Sequence, residues 1–384
     1  MGLQLDESEY KVYADGRVME LLPKEFALLQ FLYTNRGITF NRAQLLDQVW
    51  PLEYPVERTV DDHIYRLRKK LRSIHGLEIR TVRGYGYSLA IQEPSAGSPT
   101  HPTIRDREVR DAMREIFCKY HQYGQGKSML SLAEQQGALG YEMDPFYAIY
   151  VHFVQGDWDW LLNTEEVPLG ERLYLLLLIF IFSGDPVKGI EFCEKALENK
   201  ALSPFRHIEM EFLNIIELYA WTGQLDRAVE RIGLGRRLFI GPEFANFLLP
   251  AAIMEMLVQL LAGKPDEELA MQAGRIENIL SEKPYLREKG SYHIVKGLWF
   301  VTRGECSEGE SLLDKGLDIL DMSGFIPLRM HALNRLFHSF RILGCHGPMQ
   351  LKYGRLLREE QRRQEMNRFG QPLEATLLNY LDSL

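Results

Sequence analysis

Glycines recur at a near-constant interval through most of this chain, each between two amphipathic stretches. The last four intervals are 39, 40, 41 and 40 residues, after two shorter ones of 32 and 28. The glycines are Gly124, Gly156, Gly184, Gly223, Gly263, Gly304 and Gly344. A period of about 34–47 residues is typical of stacked helix pairs, whose tight turns favour glycine because a positive φ costs it little. The pattern therefore predicts an all-α repeat domain.

Three units carry this pattern most clearly. They are Leu173–Leu197, Phe212–Leu238 and His293–Leu317. Five residues after each turn glycine stands a small residue: Gly189, Ala228 or Gly309. Small side chains at this position would let the second helix of a pair approach the first closely, so we expect tight pairs there.

A linker rich in proline interrupts the chain before the repeats begin. Pro94–Thr103 holds three prolines and four Ser/Thr in ten residues, so no regular element is expected to cross it. We therefore predict an N-terminal domain over residues 1–92, a linker over 93–103 and a helical-repeat domain over 104–384. At 384 residues the chain is long enough for two substantial cores.

The net charge of −8 would argue against a nucleic-acid partner, but the charge is unevenly distributed. Met1–Glu57 has 5 basic and 9 acidic side chains, and residues 93–384 have 32 and 41. Arg58–Arg83 has 8 basic and 3 acidic side chains, a net of +5. The positive charge is thus concentrated in one short stretch of an acidic chain.

Cysteine usage and hydropathy predict a soluble, cytoplasmic protein without a membrane partner. The four cysteines are scattered with no CxxC spacing, which fits free thiols in a reducing compartment. The N-terminus lacks the pattern of a signal peptide. The longest apolar run, Leu173–Phe182, has ten residues and is too short to cross a bilayer. It is predicted to be a buried helix.

The first domain is predicted to contain, in chain order, two short strands, three helices and a β-hairpin. The predicted strands are Tyr10–Val12, Arg17–Met19, Glu78–Val82 and Tyr87–Ile91, the last two joined through Arg83-Gly84-Tyr85-Gly86. The predicted helices begin at Pro23, after the N-cap Asn41, and near Thr59. In the third helix, Val60, Ile64, Leu67 and Leu71 form one apolar stripe, with Asp61 in the first turn.

Four motifs in this domain resemble the winged-helix DNA-binding domain of the OmpR/PhoB family. They are LLPKEFALLQFL (Leu21–Leu32), RAQLLDQVW (Arg42–Trp50), RTVDDHIYRLRKKL (Arg58–Leu71) and IRTVRGYGYSL (Ile79–Leu89). The resemblance implies an α+β winged helix that binds double-stranded promoter DNA. Tyr65 departs from the family pattern, so the base preference of relatives is not carried over. We expect that the winged helix is not preceded by a phosphoacceptor domain and that the aspartyl-phosphate switch is absent.

The third helix is predicted to enter the major groove. Opposite its apolar stripe it carries His63, Arg66 and Lys70, where Arg can donate to guanine and Lys to phosphate. The resemblance implies Arg66 as the main base-reading residue. It implies backbone or flanking contacts for Arg58, Thr59, His63 and Arg68. It further implies that Thr81 contacts phosphate, that Arg83 enters the minor groove, and that the loop Leu52–Glu57 meets RNA polymerase.

The second domain resembles tetratricopeptide-type repeats, as found in the regulatory halves of SARP-type and MalT-like bacterial activators. The overall prediction is thus a mostly α chain with an N-terminal α+β winged helix and a C-terminal TPR-like solenoid. This architecture implies a sequence-specific transcriptional regulator, most simply an activator. Its repeat domain would sense a peptide, small molecule or protein partner, or mediate oligomerisation, most simply as a homodimer.

Several alternatives remain open at this stage. The basic helix face could be an ordinary solvated face, and the chain a helical-repeat scaffold that uses its winged helix for protein contacts. Gly126-Lys127-Ser128 copies the end of a phosphate-binding loop, but His121 stands where that loop needs glycine. His331 and His338, with Cys345 and His346, could be assembled into a metal site, although no further ligand lies at close spacing. We predict no enzymatic activity, no cofactor and no metal.

Aromatic residues of the second domain have two interpretations. The residues concerned are Trp158, Trp160, Tyr219, Trp221 and Trp299. At helical spacing such side chains usually pack between repeat helices. The alternative is that they line a ligand groove, because concave faces of repeat arrays are often binding surfaces.

Overall fold

The computed structural model divides the chain into two compact units, Met1–Thr100 and His101–Leu384. It describes residues 4–6, 10–14, 17–35, 39–51, 56, 58–71, 77–82, 86–91, 103–104, 106–241, 244–282 and 285–384. The predicted linker lies outside these residues, except for Thr103 at its end. Helices make up 76% of the structure, so the prediction of a mostly α chain is confirmed.

The first unit contains three helices and two small antiparallel sheets. In chain order the elements are β1 (Gln4–Asp6), β2 (Lys11–Ala14), β3 (Arg17–Glu20), α1 (Pro23–Thr34), α2 (Arg42–Val49), α3 (Arg58–Leu71), β4 (Leu77–Val82) and β5 (Gly86–Ile91). β1, β2 and β3 pair in sequence order, and β4 pairs with β5. In these sheets Leu5 faces Val12, and Ile79 faces Leu89. Sequence patterns predicted every one of these elements except β1.

Local sequence signals account for where the helices begin. Pro23 occupies the first turn of α1, where its missing N–H costs no hydrogen bond. Asn41 caps α2: its side chain accepts from Gln44 N at 2.8 Å, and Gln44 Oε1 accepts from Asn41 N at 2.9 Å. This reciprocal capping confirms the predicted start of the second helix.

One apolar core holds this unit together. All four stripe residues of α3 are buried, and they pack in one cluster with residues of both sheets and of α1 and α2. The buried members are Val12, Leu21, Phe26, Leu28, Leu29, Leu32, Leu45, Val49, Trp50, Val60, Ile64, Leu67, Leu71, Ile79, Tyr87 and Leu89. A bridge between Phe40 and Tyr87, with N–H···O distances of 2.9 Å in both directions, ties the segment before α2 to β5. The α3 helix is thus fixed by its buried face.

Every regular element among the described residues of the second unit is a helix. Its helices are α4 (Arg107–Tyr123), α5 (Gly126–Glu134), α6 (Gln136–Leu139), α7 (Pro145–Val154), α8 (Trp158–Asn163), α9 (Leu169–Ser183), α10 (Pro186–Glu198), α11 (Pro204–Glu209), α12 (Ile215–Trp221), α13 (Leu225–Leu238), α14 (Leu248–Leu261), α15 (Asp266–Glu282), α16 (Leu286–Thr302), α17 (Cys306–Ser323), α18 (Ile326–Ile342), α19 (Pro348–Arg363) and α20 (Met366–Asp382). A π-helical segment, Met210–Asn214, joins α11 to α12, which no sequence signal predicted.

The turn glycines behave as expected at six of seven positions. Their φ angles are positive at Gly124, Gly156, Gly223, Gly263, Gly304 and Gly344. Gly184 is the exception, with φ −92° and ψ −173°, which is an extended conformation. The next residue, Asp185, is the N-cap of α10, and the backbone that leads into this cap is extended. The turn between α9 and α10 therefore does not depend on a left-handed residue.

Small residues allow α16 and α17 to pack backbone to backbone. A Cβ built on Gly309 would lie 2.9 Å from Gly297 O, and one on Gly316 would lie 2.9 Å from Gly290 O. The other two predicted positions are also packed: Ala228 is buried, and a Cβ on Gly189 would lie 3.0 Å from Leu218 Cδ1. The tightest pair is thus the one that has glycine on both helices.

The apolar run Leu173–Phe182 is buried along its whole length within α9, as predicted. Among the described residues, no helix is both long and apolar enough to span a membrane. Among the aromatic residues that were expected either to pack between helices or to line a ligand groove, Trp158, Tyr219, Trp221 and Trp299 are buried. Trp160 is half-buried and stacks on His152 with 3.7 Å between ring centroids.

Candidate nucleic-acid interface

The α3 helix presents two faces of opposite character. Its apolar stripe lies in the core, while the opposite side leaves five side chains exposed. The exposed residues are Arg58, Asp62, Tyr65, Arg66 and Lys69. Three of the five are cationic, so this surface is positively charged and accessible along the length of the helix.

Arg66 lies near the middle of the exposed face. Among the described residues it makes no hydrogen bond or ion pair, and the preceding Tyr65 is 69% exposed. A guanidinium that is held on a helix and not paired within its own domain is available to donate to a ligand. The structure thus leaves the predicted base-reading side chain open.

His63 and Thr59 lie at the edge of this face. Both are half-buried, and His63 Nδ1 lies 2.8 Å from the Thr59 carbonyl oxygen, one helical turn earlier. The imidazole also meets Trp50 edge to face, with 5.1 Å between ring centroids. These contacts fix the orientation of His63 at the margin of the exposed surface.

Arg68 joins α3 to the β4–β5 hairpin. Its Nε and Nη2 donate to the Ile79 carbonyl at 2.9 and 2.7 Å, and Nη2 also donates to Thr81 Oγ1 at 2.7 Å. The guanidinium carbon lies 5.7 Å from the centroid of Tyr87. Arg68 and Thr81, for which separate DNA contacts were predicted, are therefore brought together here.

Lys70 is half-buried and reaches from α3 towards α1. Its Nζ lies 2.7 Å from Glu25 Oε2 and 3.2 Å from the Glu20 carbonyl oxygen. Glu25 also accepts from Leu22 N at 3.0 Å. Burial by itself would raise the pKa of Glu25, but the hydrogen bonds from Lys70 and Leu22 outweigh it and lower that pKa.

Asp61 anchors the start of α3 to two other elements. Its Oδ1 accepts from Arg42 Nε at 2.8 Å and from Tyr87 Oη at 2.7 Å. Burial and the bond to Asp61 raise the pKa of Tyr87, and the same carboxylate raises the pKa of Arg42. Asp61 lies in the first turn, as predicted, but its partners are side chains of α2 and β5.

No direct sequence signal pointed to these positioning contacts. Arg42, Glu25 and Tyr87 are 19, 45 and 26 residues from their partners on α3, so periodicity alone cannot pair them. Arg83 and its neighbours in the hairpin turn lie outside the described residues, as does the loop Leu52–Glu57 except Val56. Among the residues that are described, no cluster of three or more His, Cys, Asp or Glu could hold a metal ion.

Comparison with known proteins finds relatives of this N-terminal part. Residues 16–89 match the family described as "Transcriptional regulatory protein, C terminal". The "Phosphate regulon transcriptional regulatory protein PhoB" of Pseudomonas aeruginosa is 48% identical over 87 residues, covering 22% of this chain and 38% of the relative. The protein of the same name from Rhizobium meliloti is 48% identical over 89 residues, covering 23% and 39%.

A solved structure also matches this region. The crystal structure of the DNA-binding domain of Bacillus subtilis CssR is 31% identical in sequence. The match covers 23% of this chain and 99% of the CssR chain, with a TM-score of 0.21. The chain spans about two-fifths of the length of the curated relatives it matches. The family match and the sequence identity support an OmpR/PhoB-type winged-helix domain in the N-terminal part of the chain.

Proposed function

We propose that this protein is a sequence-specific DNA-binding transcriptional regulator, most simply an activator. The observation that carries the proposal is the exposed cationic face of α3, held by a buried stripe on the opposite side. Arg66 is the base-reading residue, and Arg58, Thr59 and His63 contact the DNA backbone or flanking groups. Relatives over this segment are named transcriptional regulatory proteins, which supports the assignment.

The remaining predicted contacts lie around the hairpin and at the C-terminal end of α3. Arg68 and Thr81 position the hairpin and present it to phosphate, and Arg83 enters the minor groove. Lys70 is included as a phosphate contact of weaker expected effect, because Glu25 holds its ammonium group. RNA polymerase contact through Leu52–Glu57 and a homodimeric assembly complete the proposal.

The experiment is a selection of bound duplexes from a random pool by the full chain, followed by salt titration. A DNA reader enriches a defined motif, and its affinity falls steeply on a log–log plot against salt concentration. A protein-binding scaffold would enrich no motif and show almost no slope. The second outcome would overturn the proposal in favour of the scaffold alternative.

The helical unit is proposed to be TPR-like and to sense an effector. It contains a cavity of about 530 Å³, within the range of pockets that hold small ligands. The arginines that line the cavity each face a carboxylate: Arg114–Asp144, Arg206–Glu209, Arg287–Glu288 and Arg335–Glu217. Since these charges balance, a net-neutral ligand such as a short peptide or polar small molecule suits the cavity better than a polyanion.

Two buried atoms of the cavity lining favour a ligand that can both donate and accept hydrogen bonds. Arg287 Nε and Glu288 Oε2 have no hydrogen-bond partner among the described residues. Phe205, which packs on Phe247 with 5.0 Å between centroids, lines the cavity and is half-exposed. Native mass spectrometry of the full chain purified from its own host tests this role, because a sensed metabolite or peptide would be retained.

A matched pair of variants locates the effector. Phe205→Ala should reduce retention of the ligand, while Leu351→Ala, an exposed position that does not line the cavity, should leave it unchanged. Retention that is equal in both variants would place the ligand elsewhere. If the purified protein carries no ligand and none shifts its affinity for DNA, the sensing role fails while the DNA-binding role stands.

A further inference from the structure

A second concave surface lies in the helical unit, separate from the effector cavity. It is a groove of about 720 Å³, which we call the Trp221 groove. Its lining is Ser183, Gly184, Asp185, Pro186, Val187, Trp221, Thr222, Asn334, Phe337, His338, Arg341, Gly354, Leu357, Arg358 and Gln361. The groove thus draws on the turn from α9 to α10, the end of α12, and one face each of α18 and α19.

The helical register explains why these side chains meet. Asn334, His338 and Arg341 are spaced i, i+4, i+7 on α18, and Gly354, Arg358 and Gln361 follow the same spacing on α19. Residues at this spacing share one face of a helix. Gly354 adds no side chain to that face, which leaves room between the two helices.

Three buried polar atoms of the lining lack a partner. Trp221 Nε1, Asn334 Nδ2 and His338 Nδ1 make no hydrogen bond with any described residue, and the three residues are only 2%, 5% and 6% exposed. Buried polar groups are nearly always paired, with protein, water or ligand. Trp221 and Asn334 contribute N–H donors, so the missing partner is an acceptor.

The groove is also positively charged, within an acidic part of the chain. Arg341 and Arg358 are exposed, and neither makes an ion pair with a described residue. The one carboxylate of the lining, Asp185, accepts from Val187 N and Lys188 N at 3.0 and 3.1 Å as a helix cap. Burial and the neighbouring Arg341 lower the pKa of His338 to about 4, so its imidazole is neutral at pH 7. The net charge of the lining is therefore +1, since two arginines face one aspartate.

We propose that the Trp221 groove binds a small molecule that carries a phosphate group. Arg341 and Arg358 pair with the phosphate, because each planar guanidinium presents several N–H donors to its oxygens. Trp221 and Asn334 supply N–H donors to oxygens that enter the groove. Val187 and Phe337, both exposed, flank the groove and provide contact for an apolar body.

The first experiment uses the full chain and two probes, inorganic phosphate and phenyl phosphate. Thermal unfolding and titration calorimetry are run against chloride at matched ionic strength, so that general screening is subtracted. We expect saturable binding that stabilises the protein, stronger for phenyl phosphate because of Val187 and Phe337. Absence of saturable binding by both probes would overturn the proposal and leave water as the partner of the buried atoms.

Matched arginine variants on one helix locate the site. Arg358→Gln should weaken binding about tenfold, since it removes a charge-assisted hydrogen bond. Arg355→Gln removes the same charge from an exposed position of α19 that does not line the groove, and should leave the affinity unchanged. Arg341→Gln provides a second test on α18. Equal weakening by Arg355→Gln and Arg358→Gln would reduce the effect to surface charge and overturn the assignment.

A local signal separates specific binding from general electrostatics. The indole ¹⁵N–¹H resonance of Trp221, identified by its loss in Trp221→Phe, should move when phosphate binds, because Nε1 gains an acceptor. At a phosphate concentration that half-saturates wild type, we expect a clear shift of that resonance in wild type and a much smaller one in Arg358→Gln. An unchanged resonance at saturating phosphate would contradict the role of Trp221. DNA binding by α3 enters none of these measurements, so the proposed regulator function stands or falls separately.

Discussion

Lys70 Nζ lies 2.7 Å from Glu25 Oε2, and this ion pair fastens the C-terminal end of α3 to the first turn of α1. Glu25 is only 1% exposed, whereas Lys70 is half-buried. The positive charge of Lys70 is therefore partly neutralised by Glu25. Its neighbour Lys69 is exposed and free of any ion pair with the described residues. Two adjacent lysines of one basic helix thus have different surroundings.

We predict that Lys70→Gln lowers the stability of the N-terminal unit by about 1–3 kcal/mol, because it leaves the buried Glu25 carboxylate without its cation. Hydrogen exchange of the full chain, followed in peptides from α1 and α3, measures this loss. Lys69→Gln should leave exchange unchanged but reduce the salt dependence of DNA binding by about one released ion. If Lys70→Gln reduced the salt dependence more than Lys69→Gln did, Lys70 would be the stronger phosphate contact and this prediction would be wrong.

The same pair gives α1 and α3 a dependence on pH. The pKa of Glu25 is lower in the folded protein than in the unfolded chain, so its carboxylate stabilises the fold above its ordinary pKa of 4.5. That contribution is lost as the pH falls through the lowered value. Protection of α1 and α3 from exchange should therefore decline more steeply in wild type than in Glu25→Gln below pH 4.5. Parallel profiles for the two proteins would contradict the pairing.

Arg66 is expected to determine which base pair α3 reads. Arg66→Ala should cost about 1–3 kcal/mol on the selected duplex and relax the preference at one position. Arg66→Lys keeps the charge but loses the two-pronged donor geometry, so it should recover affinity without recovering discrimination. Arg58→Ala is the control, since a backbone contact weakens all duplexes equally. Unchanged discrimination in Arg66→Ala would remove the base-reading role.

Much of the fold was predicted from patterns among residues that are close together in the sequence. The stripe of α3, the N-cap Asn41 and the buried run in α9 depend on residues within one or two helical turns, and all three appear as expected. Positive φ at Gly223 and Gly263 follows from the same local chemistry. Gly184 differs because a competing local signal, the cap Asp185, determines its conformation.

Contacts between residues far apart in sequence could not be predicted. The family resemblance implied a DNA contact for Arg68, and nothing in the sequence indicated that its donors also meet a carbonyl of β4. Glu217 pairs with Arg335, 118 residues later, in the helical unit. No periodicity links such residues, so their pairing is visible only once the helices are packed.

The Glu217–Arg335 pair leads to a prediction about the helical unit. Glu217 also lies 2.7 Å from His331 Nε2, and Arg335 donates further to Ser291 Oγ. Both members of the pair are buried, so Glu217→Gln leaves the guanidinium without a counter-charge and should cost about 3–5 kcal/mol. Chemical denaturation of the full chain measures the loss. The double variant Glu217→Gln/Arg335→Met should recover most of it, and failure to do so would mean that the charges are not the cause.

The pH profile provides an independent check of this pair. Burial would raise the pKa of Glu217, but Arg335 and His331 overcome it and lower the pKa from 4.5 to about 2. Because the folded pKa is the lower one, the carboxylate stabilises the fold fully above pH 4.5, and this stabilisation is lost as the pH falls towards 2. The part of the unfolding free energy that the Glu217 carboxylate contributes, measured as the difference between wild type and Glu217→Gln, should therefore be present at neutral pH and shrink as the pH falls from 4.5 towards 2.

The backbone contact between α16 and α17 predicts that a side chain at one glycine of this pair destabilises the fold, whereas a side chain at a glycine of α15 does not. A Cβ on Gly309 would lie 2.7 Å from Val301 Cγ2 and 2.9 Å from the Gly297 carbonyl oxygen, and a main-chain atom cannot move aside without separating the helices. Gly309→Ala should therefore destabilise the full chain by about 1–3 kcal/mol. Gly274 lies within α15, and a Cβ at this position would have no neighbouring atom within 4 Å, so Gly274→Ala should instead stabilise by about 0.5–1 kcal/mol. Equal effects of the two substitutions in chemical denaturation would show that the helices do not pack this closely in solution.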